Sequence, residues 1–451
     1  MNENKQKNFE NSSIPKAIWS LALPTIIGML VMAFYNIVDT FFIAQTNDPN
    51  QIASVSLSMP IFMMLMALGN LFGVGASSNI SRNLGSKNYN IIKNISATSF
   101  YVALTISILV TIIGIACINP LAIALGTTEF TQKYVTDYLI IIFIGSPFII
   151  CSATLSHIIR SEGNAKTAMR GMLLSTLINI ILDPIFIFVL DFGVVGASIA
   201  TIIANIFSFC FYVIMIKKSN ETYIKLSFKD IKLYDKILFN IIAVGTPASI
   251  TSLFTSISTI VYNLCLTPYG EEAVAAMGIV MKITLIYTMI FMGMSTGVQP
   301  LLGYCYGAKE NKRLKDIIIY SLKSVVIIGL IFFTFFFLFS SQTISIFIND
   351  DTIISYGNDM LRKQTSTAPI IGILFLAMST MQSTGKSLVA MILSLSRQGF
   401  AFIPTILFLA NNYGLAGLTW AQPIADLITL IIASIILLLF FKQLNNNNYK
   451  L

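Results

Sequence analysis

The sequence predicts an all-α membrane protein in which twelve transmembrane helices form two six-helix repeats around a central cavity. Three observations support this fold class. Hydrophobic residues make up 55% of the 451 residues and charged residues only 11%, whereas soluble proteins carry about 25% charged residues. The mean hydropathy is +0.80, and the apolar runs suit helices rather than barrel strands. The two halves repeat at an offset of about 222 residues. Disordered, coiled-coil and secreted disulfide-rich classes are excluded.

Twelve apolar segments approach or exceed the roughly 20 residues that a helix needs to cross a bilayer. They are residues 18–42, 53–79, 94–118, 134–159, 168–190, 194–216, 237–267, 274–304, 317–340, 358–383, 387–410 and 415–441. Eight prolines lie inside these segments: Pro24, Pro60, Pro147, Pro184, Pro247, Pro369, Pro404 and Pro423. Because proline lacks the N–H group that a helix interior requires, these positions predict bends.

The lysines and arginines predict the orientation of the chain. Of the 28 basic side chains, 22 lie in the even-numbered loops and the two tails, three in the odd-numbered loops and three inside segments. Positively charged loops stay on the cytoplasmic side of a membrane. We therefore expect a protein of the cell membrane with both termini in the cytoplasm. The net charge of +8 then reflects loops beside anionic lipid headgroups and indicates no nucleic-acid partner.

The internal repeat predicts the domain organisation. At an offset of 222, Gly75 falls on Gly297, Gly85 on Gly307, Lys87 on Lys309, Pro147 on Pro369 and Gly163 on Gly385. Six segments per repeat give both halves the same orientation, related by a pseudo-two-fold axis along the membrane normal. We expect an N-terminal lobe at 1–216, a basic cytoplasmic linker at 217–236 and a C-terminal lobe at 237–451.

Carboxylates inside membrane segments are costly and usually functional. Asp39 and Asp183 lie seven to eight residues from the outer ends of their segments, roughly 10–12 Å deep. At similar depths the N-terminal half offers further oxygen ligands from Tyr138, Asn179 and Thr201. Oxygen ligands suit Na⁺, and a buried carboxyl group can also take up H⁺. The alternative is a hydrogen-bonded network that only holds the helices together.

Four stretches resemble the multidrug and toxic compound extrusion (MATE) family, in its DinF/MepA-like branch. They are Leu23-Pro24 followed by Tyr35-Asn36-Ile37-Val38-Asp39, Gly69–Gly75 leading to Arg82–Gly85, Asn179–Pro184, and Gly193–Ala197. The resemblance implies export of organic cations driven by Na⁺ or H⁺, with Asp39, Tyr138, Asn179, Asp183 and Thr201 as the cation-coupling site. One departure is Ser156-His157, where this branch often has a glutamate that contacts the drug.

The repeat maps Asp39 onto Tyr262 and Asp183 onto Ile403, so the coupling site belongs to the N-terminal half alone. Methionines cluster in the second and eighth segments, where flexible thioethers suit varied drugs; ordinary packing is the alternative. We expect a substrate cavity lined by Asn36, Met63, Tyr262, Met281 and Gln299, with a hinge at Pro24. Matching depths suggest that Lys282 pairs with Asp426. His157 is either a proton relay or a hydrogen-bonded interfacial side chain.

The sequence therefore predicts a drug antiporter that works by alternating access. It needs no cofactor besides the coupling ion Na⁺ or H⁺, and Asp39, Asn179, Asp183 and Thr201 would hold Na⁺. We expect the protein to be a monomer and its partners to be small organic cations and membrane lipids. The alternative is a flippase for a lipid-linked cell-envelope precursor, but Lys282 and Arg397 are the only candidate cavity cations for a pyrophosphate headgroup. No catalytic set appears in the sequence, so we expect no enzyme.

Overall fold

The computed structural model describes residues 9–10, 12–46, 48–219, 221–233 and 236–446, except for the side chains at 36, 37, 40, 41 and 44. Helices account for nearly all of this part of the chain. They are α1 Ile14–Ala44, α2 Pro49–Gly85, α3 Tyr89–Ala116, α4 Ile118–Ala124, α5 Glu129–Ser161, α6 Ala165–Pro184, α7 Gly193–Lys218, α8 Ile237–Leu266, α9 Glu271–Gly307, α10 Asn311–Leu338, α11 Ser340–Ser345, α12 Asp351–Thr365, α13 Ala368–Ser383, α14 Ser387–Leu395 and α15 Phe402–Asn445.

The described residues form twelve membrane crossings, as the sequence predicts. Ten helical segments are long and apolar enough to cross a membrane, and α12 with α13 makes an eleventh across a 45° bend. The last segment is 59 residues long, or about 88 Å at 1.5 Å per residue, nearly three times the thickness of the hydrocarbon core. It is broken at Gly414, where φ is 60° and ψ is −143°, so it supplies two crossings.

The bend between α12 and α13 has its cause in Pro369. A proline cannot donate a hydrogen bond to the carbonyl four residues before it, which here belongs to Thr365, the last residue of α12. The repeat equivalent, Pro147, lies inside the unbroken helix α5. The same proline in the two halves therefore has different consequences, and the bend predicted at Pro369 is confirmed.

The two halves touch directly at the ends of their helices on one side, which we call the basic side because it carries the lysine-rich loops. A methyl group added at Gly85 would lie 2.0 Å from the carbonyl oxygen of Tyr304, and one added at Gly307 would lie 2.0 Å from that of Arg82. Because Tyr304 and Gly307 are the repeat equivalents of Arg82 and Gly85, the two contacts are related by the pseudo-two-fold axis. We call this contact region the seam.

Polar bonds and the N-terminal residues reinforce the seam. The Ser78 hydroxyl donates to the carbonyl oxygen of Gln382 in the other half at 2.6 Å. Phe9 is 1% exposed, and its ring stacks on Tyr304 of the C-terminal half with centroids 4.8 Å apart. The same ring lies against Gly163 of the N-terminal half. Phe9 therefore bridges the two halves on the basic side.

The segment between α7 and α8 packs on the N-terminal half. The buried Glu162 carboxylate, at the end of α5, accepts hydrogen bonds from the Thr222 hydroxyl at 2.5 Å and from the Tyr223 N–H at 2.8 Å. Further along, Ser96 of α3 accepts from the Lys225 N–H at 3.2 Å. These bonds tie the described part of the linker to helices of one half only.

Candidate cation-coupling site

Four helices of the N-terminal half bring the predicted polar side chains together. Helix α1 supplies Asp39, α5 supplies Tyr138, α6 supplies Asn179 and Asp183, and α7 supplies Thr201. Asp183 is fully buried, Asn179 is 2% exposed, Thr201 7% and Tyr138 9%. Asn179 and Asp183 share one face of α6 because they are four residues apart. The site is thus a buried polar cluster inside an otherwise apolar helix bundle.

Hydrogen bonds connect α6 to α1 through α7. The Asn179 amide nitrogen donates to Asp183 Oδ1 at 3.2 Å and to Thr201 Oγ1 at 3.4 Å. The Thr201 hydroxyl in turn shares a hydrogen bond with the Tyr35 hydroxyl at 3.3 Å. Tyr35 was not among the predicted site residues. Its spacing of four residues from Asp39 places both on one face of α1, and this spacing is the signal that could have found it.

The cluster contains more hydrogen-bond acceptors than donors. Asp39 Oδ1, Asn179 Oδ1 and Asp183 Oδ2 are buried and have no hydrogen-bond partner within the described part of the chain. The carboxyl groups of Asp39 and Asp183 are close enough for their charges to interact. Unpaired buried acceptors are costly, and two neighbouring carboxylates repel each other. The arrangement therefore favours a positive charge between them.

The chemistry of these oxygens fits Na⁺ or H⁺. Two carboxylates and an amide oxygen are hard ligands of the kind that alkali and alkaline-earth cations prefer. A proton shared between Asp39 and Asp183 would remove the same repulsion. Among the described residues, no group of three or more His, Cys, Asp or Glu side chains is placed to hold a metal ion. The residues thus suit a small, hard cation.

A π turn follows the site on α6. The helix ends at Pro184, and residues Ile185–Val189 continue it with one π turn. Such turns occur often at functional sites because they change the direction of side chains within a helix. The repeat-equivalent crossing also carries a π turn, at Ser396–Phe400 after α14. Both halves therefore distort the same crossing, although only one of them carries the acidic cluster.

The prediction that Lys282 pairs with Asp426 is wrong. Asp426 is fully buried and forms an ion pair with Arg397, with Nε 2.9 Å from Oδ1. The Gln422 amide donates to the same carboxylate at 2.9 Å, and the Thr367 hydroxyl donates to it at 3.4 Å. Lys282 is instead exposed on α9. Equal depth in the membrane was the basis of the prediction, and depth does not determine which way a side chain points.

The remaining sequence-predicted positions fall in different environments. The Asn36 side chain lies outside the described residues, and Met63 and Met281 are half-buried. Tyr262 is 3% exposed and stacks on Phe402. Gln299 is also 3% exposed, and its amide donates to Gln382 at 3.4 Å. The last two therefore lie inside the C-terminal half and do not present an open surface.

His157 is tied to α2. Its Nε2 atom lies 3.3 Å from Asn70 Oδ1, and its ring packs against Gly73. The histidine is thus a hydrogen-bonded contact between α2 and α5, which is the simpler of its two interpretations.

Comparisons with known proteins agree with this architecture. The MatE family model matches the chain twice, over residues 24–185 and 247–407, so the two matches repeat the predicted offset. Relatives include the multidrug export protein MepA of Staphylococcus saprophyticus, 34% identical over 428 residues that span 95% of this chain and 94% of that protein. MepA of Staphylococcus aureus is 33% identical with the same coverage. A solved structure described as the outward-facing conformation of a multidrug resistance MATE family transporter is 26% identical, with a TM-score of 0.92, and the match covers 97% of this chain and 98% of that one.

Proposed function

The chain belongs to the MatE family, and we propose that it is a secondary active antiporter that exports cationic or amphipathic organic compounds in exchange for Na⁺ or H⁺. Its relatives are multidrug export proteins, so this multi-pass membrane protein is a multidrug efflux transporter rather than an enzyme. These relatives do not favour the alternative of a flippase for lipid-linked precursors. We further propose that it acts as a monomer in the cell membrane. Both termini would lie in the cytoplasm, because the lysines and arginines concentrate in the loops on that side.

The observation that carries the proposal is the set of unpartnered oxygens on Asp39, Asn179 and Asp183. A cation from solution would occupy this set, and the same two carboxylates would attract a cationic drug. Binding of the ion neutralises the charge that holds the drug, so ion entry favours drug release. Coupling needs two conformations that the ion and the drug stabilise to different extents.

The seam supports an exchange between two such conformations. The halves are in contact on the basic side, whereas Gly278 of α9, which lies toward the opposite side, has no atom within 4 Å of an added methyl group. With the basic side in the cytoplasm, this conformation would open outward, toward the side from which external ions would reach the coupling site. Opening the seam while closing the other side would expose the drug site to the cytoplasm.

Pro24 is suited to act as the hinge of α1. Ala22 and Ile26, on either side of it, contact α9 of the other half. Beyond Ile26, the same helix carries Tyr35 and Asp39 into the site. Pro24 removes one helical hydrogen bond at the level of the contact with α9, so α1 can bend there when the ion binds.

The test is ethidium efflux from proteoliposomes with a Na⁺ gradient and a pH gradient imposed separately. Asp183→Asn keeps the size of the side chain and removes its charge, so we expect it to abolish gradient-driven efflux while the protein still inserts. Asp191→Asn is the matched control, because Asp191 is exposed at the end of the same crossing. Normal efflux by Asp183→Asn would refute the assignment. Transport of lipid-linked sugars in place of ethidium would favour the flippase.

A further inference from the structure

Lys282 lies on the stripe of α9 that faces the N-terminal half. Gly278, Lys282 and Ile286 are exposed and spaced by four residues, which places them along one side of the helix. Gly293 follows Lys282 by eleven residues, close to three helical turns. The same stripe therefore continues into Gly293, where a methyl group would lie only 2.7 Å from Ile26 Cα of the N-terminal half.

The stripe changes from buried to open along its length. At Gly293 the other half is in direct contact, whereas at Gly278 no atom lies within 4 Å of an added methyl group. The two halves therefore separate between these positions, and Lys282 lies where they have separated. An ammonium group facing lipid at this depth would be costly, but one facing a water-filled cavity is tolerated.

Lys282 and the acidic cluster lie at similar levels. Helices α1 and α9 are antiparallel where they touch, since Ile26 contacts Gly293 while Ala22 contacts Gly297. From that level, Lys282 is eleven residues away along α9, about 16 Å, and Asp39 is thirteen residues away along α1, about 20 Å. The ammonium group of Lys282 and the acidic cluster of the N-terminal half thus lie at nearly the same depth in the membrane.

The ammonium group is available for a ligand. In the part of the chain that the structure describes, Lys282 forms no ion pair, and its nearest acid by depth, Asp426, is bound to Arg397. We propose that Lys282 binds the anionic group of a zwitterionic substrate. This inference rests on the proposed function and adds a specificity-determining side chain to its substrate cavity.

A matched pair of dyes tests the proposal. Tetramethylrhodamine carries a carboxylate and a delocalised cation, whereas its methyl ester keeps only the cation. Binding of each dye to the purified full-length protein would be measured by fluorescence polarisation. We expect Lys282→Met to weaken binding of the carboxylate dye about tenfold, the lower end for a charge-assisted hydrogen bond, and to leave the ester within about twofold.

Two further variants complete the test. Lys323→Met removes the same charge from α10, where Lys323 is exposed beside Ile327 and Leu330 on an outward, apolar face, and it should affect neither dye. Lys282→Arg should retain binding of the carboxylate dye. Equal losses for both dyes, no loss, or no binding of the carboxylate dye by the unmodified protein would each overturn the proposal. Ethidium efflux by the unmodified protein would still stand in those cases, so the two proposals fail separately.

Discussion

Removal of either partner of the buried Arg397–Asp426 pair should destabilise the C-terminal half, and the two losses should differ. Arg397→Met leaves a fully buried carboxylate with only the Gln422 and Thr367 donors. Asp426→Asn leaves a guanidinium whose side chain is still 16% exposed and lies over the Phe375 ring. Breaking a buried pair costs about 3–5 kcal/mol. We expect about 5 for Arg397→Met and about 3 for Asp426→Asn, because only the arginine can reach water.

The double variant separates pairing from packing. With both charges removed, no uncompensated charge remains, so the combined loss should fall at least about 2 kcal/mol below the sum of the single losses. Equilibrium unfolding in mixed SDS and dodecylmaltoside micelles, followed by far-UV circular dichroism, measures all three. Asp359→Asn is the control, since Asp359 is 61% exposed in its pair with Lys363 and exposed pairs contribute about 0–1 kcal/mol. Additive losses, or a milder effect of Arg397→Met, would refute this reasoning.

Three further outcomes are expected. If the unpartnered oxygens of Asp39, Asn179 and Asp183 bind the coupling ion, Na⁺ or acidification should raise the thermal unfolding midpoint of the purified protein, since a ligand at 100 times its Kd adds about 2.7 kcal/mol to the free energy of unfolding. Asp183→Asn should lose this rise, and a rise that persists in the variant contradicts the site. Phe9→Ala removes a buried ring worth about 1.5–3 kcal/mol from the seam, so a cysteine placed at Ser78 should react faster with a thiol reagent applied to the basic side; an unchanged rate contradicts a bridging role. Gly307→Ala should block closure of the seam and efflux, since overpacking costs about 1–3 kcal/mol, while Gly278→Ala on the same helix should have no effect; equal activity of the two variants argues against a tightly closed seam.

The sequence was most informative where periodicity along a single helix was enough. Depth and the spacing of four residues brought Asp39, Asn179 and Asp183 to one level, and the structure does bring these side chains together. The same rule applied to α1 would have added Tyr35. These inferences need only the rise and period of a helix, and they do not depend on how helices pack against one another.

Contacts between helices were beyond the reach of the same reasoning. Depth alone suggested Lys282 as the partner of Asp426, but the direction of a side chain depends on the rotation of its helix. The π turn at Ser396–Phe400 adds to this difficulty, because it shifts the helical period at Arg397 itself. Likewise, Met281 was expected in the cavity, yet the stripe that continues into Gly293 carries its neighbour Lys282. One known contact, Gly293 against Ile26, is enough to determine that rotation.

The two halves share a helix arrangement but satisfy their buried acids in different ways, and this difference bears on which half couples to an ion. Asp426 has its counter-charge supplied by Arg397, which the chain itself holds 2.9 Å away. The carboxylates of Asp39 and Asp183 have no such cation among the described residues and retain unpartnered oxygens. A tethered counter-charge is present at every ion concentration, whereas a counter-charge drawn from solution depends on the concentration on the side to which the site opens. If transport is coupled to an ion, as we propose, we therefore expect the cluster in the N-terminal half, rather than the Arg397–Asp426 cluster, to make the conformational equilibrium respond to the ion gradient.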